Sequence, residues 1–157
     1  MSGAFPEIVR ALASMPRECV LDGELAVPDA FGRSDFEEVR RRNLLRRPRM
    51  IAEAAARRPA VLVEFDLLEV NGDDLRTLPL YERRRALQAH VDQVPGIQII
   101  EHVETHGEVL FRAIVDEDHE GIVAKRKDAP YRAGKSPSWV KIKNRAYSRR
   151  GAVEWHG

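Results

Sequence analysis

Residues 60–70 read AVLVEFDLLEV, and Asn71-Gly72 follows. No other run in the chain is as strand-like. Val61, Val63, Phe65 and Leu67 alternate with Leu62, Glu64, Asp66 and Leu68, so a period of two sends one set to each face of a sheet. Asn-Gly is a tight-turn signal and closes the run. Upstream, ECVLDGELAV (18–27) reads as a strand pair broken at Gly23 or as one strand with a bulge. Downstream, residues 97–103 read as a strand. Residues 121–125 (GIVAK) and 139–143 (WVKIK) read as two more, joined by a loop over 126–138. Helical patterns lie between the strands. Phe5–Met15 carries Pro6 in its first turn. Ser34-Asp-Phe-Glu37 is a capping-box pattern and predicts a helix running to about Leu45. Arg49–Arg58 is stopped by Pro59, Leu80–Val91 follows Pro79, and Gly107–Val115 completes the set. Arg40–Arg42 and Arg83–Arg85 fall on the wet sides of their helices. The elements mix without a regular βαβ rhythm, so the expected class is α+β with a largely antiparallel sheet.

Composition limits the function classes. The chain has 157 residues, 43% apolar and 32% charged, which fits one globular domain. No apolar run approaches the ~18 residues of a membrane-spanning helix. The opening MSGAFPEIVRALASM has no basic region ahead of a long apolar one, so no secretory signal is expected. A single cysteine, Cys19, excludes an internal disulfide framework and a thiolate-rich zinc site. Its simplest reading is a small buried apolar residue. A cytoplasmic location is expected.

The formal net charge of +1 hides a division. All five lysines lie between Lys125 and Lys143. Residues 124–157 hold five lysines and five arginines against Asp128 and Glu154, a net of +8. Residues 1–123 hold 16 arginines, 23 acids and no lysine, a net of −7. A basic end on an acidic body points to an anionic partner such as DNA, RNA or nucleotide phosphate. The last residues, 145–157, read as a basic, loosely structured tail.

Four short pieces carry chemistry. They are Asp22-Gly23-Glu24 in a hydrophobic strand, Glu64-Phe65-Asp66-Leu67-Leu68, Glu120-Gly-Ile-Val-Ala-Lys125, and Trp139-Val-Lys-Ile-Lys143. Each alone has a bland reading: a solvated turn acid, a core aromatic, a strand-end acid, a wet strand face. In this order they resemble motifs III, IIIa, IV and V of the covalent nucleotidyltransferases, the superfamily of ATP-dependent DNA ligases, RNA ligases and capping enzymes. FPEIVRAL, VLDGELAV, FDLLEVNGDDLRTLPLYERRRAL and EGIVAKRKDAPYRAGKSPSWVKIKN narrow the likeness to bacterial ATP-dependent DNA ligases, the ligase domain of the end-joining type above all. The resemblance runs from Phe5 to about Asn144 and is most specific over Glu120–Asn144.

The resemblance implies a partial adenylation domain of the nucleotidyltransferase (ATP-grasp-like) fold over 1–144, using ATP and Mg²⁺ and acting on nicked duplex DNA in repair or recombination. Phe65 would stack on adenine, and Glu24 would meet the ribose or a metal-bound water. Glu120 would help hold Mg²⁺. Lys141 and Lys143 would reach the α-phosphate and offset charge in the pentavalent transition state. Lys135 stands where many family members have arginine, which removes a bidentate phosphate contact. Trp139 reads as a structural anchor of the last strand.

The family's nucleophile is the lysine of motif I, Lys-x-Asp-Gly, and no such motif occurs in these residues. Asp22-Gly23 is not a disguised copy, because Val20 holds the lysine position. The OB-fold domain and motif VI are also absent. The expectation is therefore a domain truncated before motif III and after motif V. Alone it would not form lysyl-AMP, and it would have exposed sheet edges and a need for a complementing N-terminal polypeptide. Two other readings compete. One is a non-catalytic nucleic-acid-binding module using the basic end, recognisable by a salt-dependent affinity. The other is a metal site at His102, Glu104 and His106, whose spacing is not His-Glu-x-x-His and which lacks a further ligand.

Overall fold

The computed structural model describes residues 2–91 and 94–148. After a 3₁₀ turn at Ser2–Ala4 the elements are α1 (Pro6–Ala13), β1 (Cys19–Ala26), α2 (Phe36–Asn43), α3 (Pro48–Arg57), β2 (Val61–Val70), β3 (Asp73–Asp74), α4 (Leu80–Val91), β4 (Ile97–Ile99), α5 (Gly107–Asp116), β5 (Gly121–Lys125) and β6 (Trp139–Lys143). They form two compact units. Unit 1 is drawn from Met1–Leu75 and Glu82–Ile100, and unit 2 from Arg76–Tyr81 and Glu101–Gly157. Residues 149–157, most of the expected basic tail, lie outside the described residues.

Unit 1 is built on β2. β1 runs antiparallel along its whole length, from Cys19 opposite Val70 to Ala26 opposite Val61. The Asn71-Gly72 turn, with both residues at positive φ (50° and 88°), returns the chain as the short antiparallel β3. β4 joins β2 in parallel, Leu62 facing Ile97. The sheet is thus mixed but mostly antiparallel. β4 stops at Ile99, short of the expected Val103.

β1 is one continuous strand rather than two, and the bulges opposite it fall on β2. Its register shifts twice, between Val20 and Leu21 and between Asp22 and Gly23, and leaves Phe65 and Leu68 without partners in β1. The shifts overturn the simple alternation expected for β2. Asp22 pairs Asp66 and Gly23 pairs Glu64. Neighbouring residues of a pleated strand face opposite ways, so Glu64 and Asp66 lie on opposite faces. Glu64 shares its face with Leu21, Leu67 and Cys19, which belong to the core with Ala11, Leu87 and Val91. A second cluster, Phe5, Ile8, Val27 and Ala60, fills the end where α1 meets β1 and β2.

Two arginines expected on wet faces are buried. Arg42 is fully buried, pairs with Glu7 at 2.7 Å and donates to Ala4 O and Arg58 O. Arg83, also fully buried, forks onto Asp66 through Nε and Nη2 at 2.8 and 2.7 Å. Long arginines on α2 and α4 reach inward because a carboxylate and orphan carbonyls wait there.

The start of α2 is one residue later than the capping-box pattern put it. Asp35, not Ser34, is the N-cap, and it accepts from Glu38 N–H at 3.0 Å. Its other oxygen takes Arg58 Nη1 at 3.0 Å. Asp35→Ala is expected to lower unfolding free energy by about 1–2 kcal/mol, with Asp35→Asn recovering most of the cap. Urea melts of the two variants measure the difference.

Unit 2 centres on the antiparallel β5–β6 pair, Gly121 opposite Lys143 through Lys125 opposite Trp139. α5 packs on β5. Residues 76–81 join this unit through Leu80 N–H to Ala129 O at 3.0 Å and Tyr81 N–H to Lys127 O at 3.1 Å.

Candidate functional site

In WVKIK the period of two places Trp139, Lys141 and Lys143 on one face of β6. Antiparallel pairing puts Lys125, Val123 and Gly121 beside them. Trp139 anchors this strand as expected: Lys125 Nζ sits 3.9 Å from its ring centroid, and Tyr131 meets it edge-on at 5.6 Å. Lys141 and Lys143 are exposed. Two ammonium groups on one open strand face suit a polyphosphate.

Gly121 has a specific reason to be glycine. Its φ is +154°, and a Cβ there would strike Ile142 O and lie 3.0 Å from Lys143 Cα. The strand opposite Lys143 can come this close only without a side chain. Beyond the pair, buried Asn144 ties the ends together. Its N–H donates to Glu120 O at 2.7 Å, its side-chain amide donates to His119 O at 3.0 Å, and its Oδ1 accepts from Ala146 N–H at 2.9 Å. Glu120, exposed, and Lys143 are therefore held at the same end of one hairpin. Sequence reading missed Asn144; its only signal was an amide closing an apolar strand.

Glu24 and Phe65 belong to unit 1. Glu24 is exposed on β1 opposite Val63, and Phe65 is a half-buried bulge residue of β2. The Phe65 carbonyl accepts from Arg84 Nη1 at 3.0 Å, while Nη2 of the same guanidinium donates to Ile100 O at 2.8 Å. Next to Phe65, Glu64 is 1% exposed, and its Oε2 has no hydrogen-bond partner. Burial, helped by the Asp22 carboxylate, pushes it up to about 7. The motif resemblance assigns it no role.

A single magnesium ion needs few protein ligands, since one or two carboxylates with substrate phosphates and water complete its octahedron. Glu120 fits that demand as an exposed oxygen donor at the end of the hairpin where Lys143 lies. No cluster of three or more His, Cys, Asp or Glu among the described residues could hold a metal. His102, Glu104 and His106 are exposed and lie on no strand, and Glu104 pairs with Lys127 at 3.4 Å. Cys19 is half-buried rather than buried, and burial and the nearby Glu64 raise its thiol pKa. Among the described residues no helix is long and apolar enough to cross a membrane.

Known proteins resemble this chain in sequence and fold. A DNA ligase of Thermococcus fumicolans is 36% identical over 89% of this chain and 26% of its own length. The bifunctional non-homologous end joining protein LigD of Bacillus subtilis is 32% identical over 92% of this chain and 26% of its own. The chain thus spans about a quarter of the curated relatives it matches. Among solved structures, the ligase domain of Mycobacterium tuberculosis LigD superposes with a TM-score of 0.68 at 28% identity, covering 87% of this chain and 42% of that one. A mycobacterial DNA ligase D complexed with ATP and MES gives 0.66 at 28%, covering 87% and 40%. The family described as ATP dependent DNA ligase domain matches residues 1–143. With mixed helices, mostly antiparallel sheets and that match over nearly its whole length, the chain belongs to the ATP-dependent DNA ligase domain family.

Proposed function

We propose that residues 1–144 contribute ATP-contacting and catalytic groups to a DNA ligase that seals nicked duplex DNA in repair or recombination. The observation that carries this reading is the β5–β6 hairpin, where Lys141 and Lys143 share an exposed face and Glu120 is clasped at its end. In unit 2, Lys141 and Lys143 would bind the α-phosphate and oppose its growing negative charge, and Glu120 would hold Mg²⁺. In unit 1, Phe65 would stack on adenine and Glu24 would take a ribose hydroxyl. Mg²⁺ would supply charge neutralisation on the phosphates.

Adenylyl transfer needs an attacking lysine, and the 157 residues contain no Lys-x-Asp-Gly. Lysyl-AMP formation therefore draws that motif from sequence outside them, either continuous with the chain or on a complementing polypeptide. Sealing of a pre-adenylated nick needs no such lysine: the 3′-OH attacks the 5′-phosphate and AMP leaves.

Two assays test the reading. Incubation with α-labelled ATP and Mg²⁺ is expected to leave the polypeptide unlabelled, and a covalently labelled band overturns the assignment of the nucleophile. Sealing of a pre-adenylated nicked duplex is expected, and Lys141→Ala or Lys143→Ala should slow it by about 10²-fold or more. Sealing at the wild-type rate by both variants removes them from the phosphate site.

A further inference from the structure

We propose that the corner between α2 and α3 docks on the phosphate backbone of duplex DNA through Arg46, Arg47 and Arg49. The inference rests on the ligase reading, which supplies the class of polyanion. Residues 36–58 hold eight arginines and three glutamates, while the rest of the first 123 residues hold eight arginines and twenty acids. The corner is a positive island in an acidic stretch. Within it, residues 40–50 contain six arginines and no acid.

Packing sorts these arginines. Arg42 is buried on Glu7, Ala4 O and Arg58 O. Arg41 and Arg57 are drawn to Glu38 at 2.6 and 3.9 Å, Arg40 to Glu37 at 3.4 Å, and Arg58 to Asp35 at 3.0 Å. The three at the corner differ. Arg46 donates to the carbonyls of Asn43 and Leu45, at 2.8 and 3.0 Å, which leaves its charge intact. Among the described residues no carboxylate lies within ion-pair distance of Arg46 or Arg47. Arg49 meets Glu53 at 2.8 Å, but the two side chains are 90% and 62% exposed. Such a pair contributes little and yields readily to a competing phosphate.

Three like charges over four consecutive positions repel one another, and a polyanion relieves that repulsion. Guanidinium forks fit phosphate oxygens two at a time. The buried bonds of Arg42 fix the end of α2, so the corner is ordered before it binds and loses little entropy on docking. Phosphate contacts fix position without reading bases, which suits an enzyme acting on nicks of any sequence.

The test is binding of the full chain to a fluorescent nicked duplex over a salt series. Each phosphate contact contributes about −0.9 to the slope of log affinity on log salt. The R46A/R47A/R49A variant is expected to flatten that slope by about 2–3, with the R46K/R47K/R49K variant keeping it. Thermal melts of both should match wild type, because all three residues are exposed. A control lacking exposed Arg10, Arg85 and Arg112 should change the slope by less than about 1. A wild-type slope in the alanine variant, or an equal loss in the control, overturns the docking site and leaves the ligase reading standing. A wild-type chain that binds no nicked duplex at low salt overturns both.

Discussion

Arg83→Ala is expected to be the most damaging single substitution in unit 1, costing about 3–5 kcal/mol. Arg83 and Asp66 are both 0% exposed and share two hydrogen bonds, at 2.8 and 2.7 Å. Asp66 Oδ1 also accepts from Leu67 N–H at 3.0 Å. Removing the guanidinium leaves a carboxylate in a place without water. Its desolvation is then offset by one backbone N–H and, less directly, by the nearby Arg84 guanidinium. Domains of this size are stable by about 5–15 kcal/mol in total, so the variant should lose much of its folded population under mild denaturant. Asp66→Ala should also destabilise the protein, because it takes two charge-assisted hydrogen bonds from a buried guanidinium. The pair itself need not be worth that much, because both ions were desolvated to form it. Replacing both with apolar residues of similar volume, as in D66L/R83M, should recover most of the loss. Urea unfolding of the two singles and the double measures this. A double as unstable as the worse single would show that packing around the site, rather than an orphaned charge, sets the cost.

That pair also shows where sequence reading works and where it stops. GIVAK and WVKIK were legible at their observed bounds because WVKIK alternates cleanly, GIVAK is a short apolar run opened by a glycine, and their pairing carries no bulge. The same alternation placed Lys141 and Lys143 on one face without a structure. β2 had an equally clear pattern, yet its faces came out differently. Bulges at Phe65 and Leu68 insert residues without changing composition, and a single sequence has no mark for them. Arg42 and Arg83 each sit in a run of three arginines, which reads as a solvated helix face. Their burial depends on Glu7 and Asp66, distant in the chain and brought near only by packing. The four motifs were legible because their residue types repeat a pattern known from whole proteins. Asn144 and Gly121 were not, since their roles are a few hydrogen bonds and the absence of one methyl group.

Glu64→Gln is expected to stabilise the protein above neutral pH by about 1–3 kcal/mol and to change the shape of its pH dependence. Glu64 lies opposite Gly23 on the core face, and a Cβ on Gly23 would strike its Oε2 and lie 2.6 Å from Val63 O. The carboxyl fills the space that the glycine leaves. Burial and the Asp22 carboxylate raise its pKa from 4.5 to about 7. Folding therefore binds its proton more tightly than the unfolded chain does. Below about pH 4.5 the group is neutral in both states and exacts no charge penalty. As pH rises towards 7 the unfolded chain ionises first, so stability falls across this window. Above 7 the folded carboxylate is charged as well, and the full penalty persists, at most about 3 kcal/mol. Glutamine cannot ionise and removes that penalty, though its own buried amide keeps the gain below the maximum. The wild-type minus E64Q difference in unfolding free energy isolates this group, because every other ionisable residue is common to both proteins. It should become more negative as pH rises from about 5 to about 8 if Glu64 titrates in this way, and stay constant if it does not. Asp22→Asn should shift the midpoint of that difference to lower pH, because it removes the neighbouring negative charge. Parallel stability curves for wild type and E64Q from pH 5 to 8 would mean that Glu64 is ionised or solvated in the same way in both states.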